Sequence, residues 1–237
     1  MIRRQRKIRL TLFYKIRERA KVYCVKLKVW GDFALFTRPE YKSEPHTYPV
    51  MTFTAAVGIL ESIFWKPEIK YSINSISVLK PIKHLSVMRN MIKSKQSYRN
   101  VGKLKTIEED RTQRTQILLK DVAYHIDFCF ELTDDNLNPD KYYAIIADRI
   151  KEGKCFKQPY FGCREYIAYF GLPQEKEYPS ATLRGVKDLG MMPKQEHFIP
   201  DKKGKISWKS KNGITKGKSV VEFANFILKD GVLCCPN

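Results

Sequence analysis

No apolar run in this 237-residue chain approaches the ~18 residues needed to cross a bilayer as a helix, and the mean hydropathy of −0.42 agrees. A soluble protein is expected. Histidine is scarce, at four residues, and the six cysteines (Cys24, Cys129, Cys155, Cys163, Cys234, Cys235) form no CxxC pair, so zinc-ligand spacing is missing. Adjacent Cys234 and Cys235 suit a disulfide framework poorly, which leaves a cytoplasmic protein with free thiols as the simpler reading. The chain has no Walker loop, GxGxxG, GxSxG, HExxH or paired-Asp metal motif. Nucleotide hydrolysis, hydride transfer and metal-assisted cleavage therefore lack their usual equipment, and neither metal nor cofactor is expected. The glycine-aromatic string of an RNP motif is also missing. Residues 1–21 are basic and poor in acid, but they hold no serine and no cleavage signature follows, against an organelle transit peptide.

What the chain has in excess is positive charge. Lys and Arg number 44 against 25 Asp and Glu, for a formal charge of +19 and a pI near 9.6. A hydrophobic content of 43%, with 12% aromatics, is ample for a packed core and excludes a wholly disordered basic tail. The excess is localised: residues 1–21 carry +8 and residues 80–120 carry +8, which leaves +3 for the other 175 residues. One such segment reads equally as a solvated charge run, but two beside a nearly neutral remainder favour a nucleic-acid partner.

Hydrophobic periodicity organises the rest. Tyr23, Val25, Leu27 and Val29 alternate with Cys24, Lys26 and Lys28, a half-buried strand with a cationic open face. Thr54 is placed as the cap of a helix through Ala55, Val57, Ile59, Leu60, Ile63 and Phe64, stopped by Lys66-Pro67. Residues 69–79 are rich in β-branched side chains, with a parity break at Asn74-Ser75 that suggests a bulge. Residues 90–114 lack periodicity and read as a long mobile basic loop. Alternation returns from Val122 to Leu132, Asn138-Pro139 opens a second helix with Tyr143, Ile146 and Ile150 inward, Gly153 closes it, and Tyr160–Phe170 reads as a further strand. The order predicts an α+β chain: a basic extension over 1–21, a ferredoxin-like (RRM-like) βαββαβ domain over 22–172, and a small antiparallel β-sheet domain over 173–237. Turns in that last part are placed at Lys202-Lys203-Gly204, Lys216-Gly217 and Asp230-Gly231.

Lys141 lies in the first turn of the second helix, where free N–H groups and the helix dipole favour an anion, so it reads as a phosphate ligand or as a solvated lysine. Tyr142 lies about 100° round the helix from Tyr143 and faces outward beside it.

Several ordered strings carry a resemblance: residues 29–40 (Val29-Trp30-Gly31-Asp32-Phe33 through Glu40), Tyr48-Pro49-Val50-Met51-Thr52, the run from Gly58 to Pro67, Val78-Leu79-Lys80-Pro81-Ile82, Arg89-Asn90, Gly162-Cys163-Arg164-Glu165 and Asp188-Leu189-Gly190-Met191. From about residue 22 onward the chain resembles the CRISPR-associated family-five protein of subtype I-C, the d variant. The resemblance implies a ferredoxin-like domain followed by a small β domain. It implies a prokaryotic cytoplasmic protein of antiviral defence that holds the 5′ handle of the crRNA in the type I-C Cascade. There it would lie beside the family-seven backbone and family-eight large subunits, and would meet target DNA only indirectly. It also implies an endoribonuclease that cuts the pre-crRNA repeat hairpin without a metal, by attack of a ribose 2′-OH on the adjacent phosphorus. The family's cluster uses a Tyr or His before Trp65-Lys66-Pro67 and a Lys-His pair in the second helix; here Phe64 stands at the first place and Lys141-Tyr142 at the second. The catalytic candidates are accordingly Lys141 and Tyr142, with His46 and Tyr48 as possible helpers. A phenol is a poor base at neutral pH unless neighbouring cations lower its pKa, as Lys141 and the helix end are expected to do. RNA-binding candidates are Lys26, Lys28, Arg38, Arg89, Lys93, Lys95, Arg99, Lys103 and Lys105. A purely structural crRNA-binding subunit, and a general basic RNA-binding protein, are the alternatives.

Overall fold

Tyr23, Val25, Leu27 and Val29 are buried on β1 (Tyr23–Ala34), as their alternation requires, and face the same way as Val122, Tyr124, Ile126, Phe128 and Phe130 of the long strand β4 (Arg111–Leu132), with which β1 pairs antiparallel. The computed structural model describes residues 23–41, 43–94, 106–134, 136–174, 176–210 and 213–236. Between those strands come α1 (Phe53–Ile63), β2 (Ile69–Val78) and β3 (His84–Ile92); after β4 come α2 (Pro139–Glu152), β5 (Tyr169–Gly171), β6 (Val186–Pro200), β7 (Ile206–Ser210), β8 (Gly213–Lys229) and β9 (Val232–Cys234). The fold is mixed α/β, with a mostly antiparallel sheet of order β5-β1-β4-β2-β9-β8-β6, to which β3 joins along β4 and β7 along β8. β9 is the seam, hydrogen-bonded to β2 on one side and β8 on the other.

Both helices lie on one sheet face, α1 against β2 and β6 and α2 against β1 and β5. α1 buries Phe53, Ala56, Ile59, Leu60 and Ile63, and α2 buries Ile146 and Ile150. Each of these side chains other than Ala56 contributes roughly 1.5–3 kcal/mol on removal from water. Phe53 of α1 meets Phe226 of β8 at 4.9 Å between ring centroids, so the C-terminal strands share this core.

Several local expectations change. The cap of α1 is Thr52, whose hydroxyl accepts from the Ala55 N–H at 3.2 Å, and the helix ends before Phe64. The bulge in β2 falls where the parity breaks, between Ile73 and Ser75. The loop expected over 90–114 is strand at its two ends, 90–92 in β3 and 111–114 in β4, which pair as a two-stranded ribbon; 93–94 and 106–110 are turn or irregular, and 95–105 lie outside the described residues. Along β3, exposed and half-buried residues alternate and none is fully buried, so no apolar alternation was required. Asn138 caps α2 by accepting from the Asp140 N–H, and Gly153 ends it in the left-handed conformation at φ 67°. Of the strand expected over 160–170, only a Tyr160–Ile167 bridge and β5 form. Gly162 interrupts it at φ 80°, where a Cβ would lie 1.9 Å from the Leu35 carbonyl oxygen. Lys216-Gly217 is strand interior rather than turn, because Gly217 lies where Ile199 O and the Trp208 ring close in. Asp230-Gly231 is a tight turn, with φ 47° and 75°.

Cys24 and Cys129, opposed across β1 and β4 with Cα atoms 4.0 Å apart, are joined as a disulfide, against the expectation of free thiols throughout. Cys155, Cys163, Cys234 and Cys235 are free.

Candidate functional site

The end of α1 and the first turn of α2 meet over the edge of the core. The Phe64 and Tyr142 rings lie 6.3 Å apart. The guanidinium of Arg149 stacks over Phe64 at 4.9 Å and donates to the Ile63 carbonyl at 2.6 Å, and the Tyr71 hydroxyl donates to the Phe64 carbonyl at 2.6 Å. These contacts hold Phe64 as a buried wall of the cluster. On the far side of α2's first turn the Tyr23 hydroxyl donates to Asp140 Oδ1 at 2.5 Å, which ties the helix start to β1. Lys141 is exposed there, and Tyr142 is half-buried. The two places named from the resemblance are therefore neighbours in space, although 78 positions separate them.

Tyr142 is not a free phenol. Its hydroxyl donates to Glu68 Oε1 at 2.7 Å, from the turn that leads into β2. That hydrogen bond to a carboxylate, with some burial and the Glu68 and Asp134 charges, raises the phenol above its ordinary value near 10. The expected lowering by Lys141 is overturned, because the carboxylate within hydrogen-bond reach outweighs an exposed ammonium. Glu68 directly follows Trp65-Lys66-Pro67 and was missed: the only signal was an acid next to a matched string.

His46 and Tyr48 are elsewhere. Tyr48 is buried beside the start of α1, and eleven residues at 1.5 Å each place that end about 16 Å from Phe64. His46 stacks on Tyr41 at 5.0 Å. Arg38 stacks on the Tyr48 ring at 5.0 Å, its Nε buried without a hydrogen-bond partner, as is the Tyr48 hydroxyl.

The basic candidates divide. Lys26 is exposed opposite Asp127, whose carboxyl is raised by burial against the opposing pull of Lys26. Lys28 is not on an open face: it pairs with Glu177, which arrives after β5 and also meets His125 Nε2 at 3.1 Å. Burial holds His125 below its ordinary value despite Glu177, so the ring is neutral and donates to that carboxylate. Burial would raise Glu177, but the Lys28, Gln174 N–H and His125 hydrogen bonds outweigh it and the net shift is downward. Arg89 pairs with Glu165 at 2.6 Å and reaches Gln116 at 3.3 Å. Lys93 is exposed where β3 enters the turn. Lys95, Arg99, Lys103 and Lys105 lie outside the described residues. Among the described residues, no group of three or more His, Cys, Asp or Glu side chains is placed to hold a metal, and no helix is long and apolar enough to cross a membrane.

Residues 24–213 match the family model described as CRISPR-associated protein (Cas_Cas5), in its Cas5d form. The chain is 39% identical over 178 residues to the CRISPR pre-crRNA endoribonuclease Cas5d of Thermus thermophilus, covering 75% of each protein. It is 42% identical over 185 residues to the protein of the same name from Mannheimia succiniciproducens, covering 71% of this chain and 82% of that one. A crystal structure of a CRISPR-associated protein shares the fold, with a TM-score of 0.60, 21% identity and coverage of 90% and 92%. So does a functionally uncharacterized protein from Streptococcus mutans, with a TM-score of 0.62, 20% identity and coverage of 92% and 95%. With a family model spanning most of its length and relatives near 40% identity, the chain belongs to the Cas5d family of CRISPR-associated proteins.

Proposed function

We propose that this chain binds the crRNA 5′ handle as a subunit of a type I-C Cascade and cleaves pre-crRNA repeats by 2′-OH attack, beside the family-seven and family-eight subunits and in the cytoplasm. The observation that carries the cleavage reading is the Glu68–Tyr142–Lys141 cluster at the first turn of α2. In this reading Tyr142 Oη takes the proton of the ribose 2′-OH as its own proton passes to Glu68 Oε1. The 2′-oxygen then bonds to phosphorus, the bond from phosphorus to the 5′-oxygen breaks, and a 2′,3′-cyclic phosphate forms. The departing 5′-oxygen is protonated from solvent. Lys141, with the free N–H groups of the helix start, offsets the charge that builds on the phosphate. A carboxylate is a competent proton sink at neutral pH where a lone phenol is not.

The strand order β5-β1-β4-β2, with a helix after β1 and another after β4, supports reading residues 22–172 as ferredoxin-like, with β3 inserted as an arm. Residues 173–237 are read as the appended β domain that joins through β9, and 1–21 as a basic extension.

Replacing Lys141 by Ala and Tyr142 by Phe together tests the assignment. Loss of cleavage of the repeat RNA with binding retained supports it, and cleavage at the wild-type rate removes it. The Phe64 substitution keeps alive the second reading, a structural crRNA-binding subunit, for which wild-type protein would bind tightly and cut nothing.

A further inference from the structure

On the sheet face opposite the helices, β1, β4 and the segment after β5 enclose a cleft of about 450 Å³ between Trp30, Ala123, Leu172, Glu177 and Tyr178. Trp30 and Tyr178, both lining this cleft, present aromatic surface to solvent, at 37% and 75% exposure. Tyr169 of β5, itself half exposed, stacks on Trp30 at 6.3 Å with 27° between the planes, and Lys28 Nζ lies 5.5 Å from the Trp30 ring, so the indole is held in one orientation. The charges around the cleft cancel: Lys28 is paired with Glu177, Lys80 with Asp121, and Lys26 faces Asp127 across the strands. A site for phosphate would leave its cations free. This one combines flat aromatic surface with the exposed side-chain amide of Gln174, which offers both a donor and an acceptor, and that is the chemistry that receives a nucleobase.

We infer that this cleft is a stacking site for one unpaired base of single-stranded RNA, sandwiched between Trp30 and Tyr178. It rests on the RNA-binding reading above and lies on the opposite sheet face from the Glu68–Tyr142 cluster, so it binds without taking part in the cut. Recognition is by ring stacking and is tolerant of sequence, with purines favoured for their larger face.

The test uses the full chain carrying Trp65→Phe and Trp208→Phe, which leaves Trp30 as its one tryptophan. Emission is followed while a twelve-nucleotide oligoadenylate, an oligouridylate and an abasic ribose-phosphate oligomer of equal length are added. Oligoadenylate should quench Trp30, more strongly than oligouridylate, and the abasic oligomer should not. In the otherwise wild-type chain, Trp30→Ala and Tyr178→Ala should each weaken oligoadenylate about tenfold and leave the abasic oligomer unaffected. Tyr178 is so exposed that its replacement leaves the core untouched. Oligoadenylate binding without quenching, or with wild-type affinity in both variants, overturns the stacking site while leaving RNA binding in place. A chain that binds none of the oligomers overturns the RNA-binding reading and the stacking site together.

Discussion

Tyr142 shows how one neighbour changes a side chain's chemistry. Read alone, it is a phenol beside a cation; in place, it is a donor to Glu68, and its proton is harder to remove than that of an isolated tyrosine. If the pair works as a relay, Glu68→Gln and Tyr142→Phe each slow cleavage by ~10²–10⁴, and the double variant is scarcely slower than either alone, because both remove the same proton path. Single-turnover rates with RNA affinity measured in parallel check this. The pH profile gives a second readout. A free phenol acting as the base would make the rate climb tenfold per unit up to pH 10, whereas a phenol held above its ordinary value, with a carboxylate sink, gives a flat rate between pH 8 and 10. At this scale the placement of Lys141 and Tyr142 in a first helical turn was legible from the Asn-Pro start, but the Glu68 hydrogen bond was not, since it depends on the meeting of two helix ends.

At the scale of elements, the strap after β5 is fastened by Glu177 to Lys28 and His125. His125 titrates below its ordinary value in the folded chain, so its stabilising contribution is complete above that ordinary value, near 6.5, and is lost as pH falls through the depressed one. Melting temperature should therefore drop as pH is lowered from 7 toward 5, and His125→Gln should reduce the drop. Glu177 also titrates below its ordinary value, so its own contribution is lost only at more acid pH. The seam with the C-terminal strands is tested by Phe226→Ala, which empties a fully buried site against Phe53 and should cost about 3–5 kcal/mol in denaturant unfolding. β1, the second half of β4 and both helices were legible because each presents one apolar face to a single core, and that core imposes the period. The ribbon of β3 and early β4 was not, because no residue of β3 is fully buried and early β4 buries only Gln116, Leu118 and Leu119 near its base, too few to impose a period. The Cys24–Cys129 disulfide was hidden as well: the residues are 105 positions apart, and only the register of β1 on β4 opposes them. Lys28 was read as open for the same reason, its partner Glu177 being 149 positions away.

For the whole molecule, the formal charge of +19 remains concentrated in residues 1–21 and 80–120, and the structure spreads the described part of the second segment along the β3–β4 ribbon. Replacing Lys95, Arg99, Lys103 and Lys105 by Ala should lower the slope of log affinity against log salt by about 3, at ~0.7 per single-strand phosphate contact, while cleavage of already bound RNA continues at the wild-type rate. A filter-binding titration over a range of salt concentrations measures that slope. In the proposed reading three features divide the labour: the ribbon for phosphates, the Trp30 cleft for a base, and the α2 start for the cut. The central claim is that the chain itself performs this cut through the ribose 2′-hydroxyl, and incubation of the purified protein in EDTA with its repeat RNA, beside the same RNA with one 2′-deoxy at the scissile ribose, tests it most directly. The account predicts cutting of the first, with a 2′,3′-cyclic phosphate end, and none of the second; cutting of both, or tight binding with no cutting of either, would contradict it.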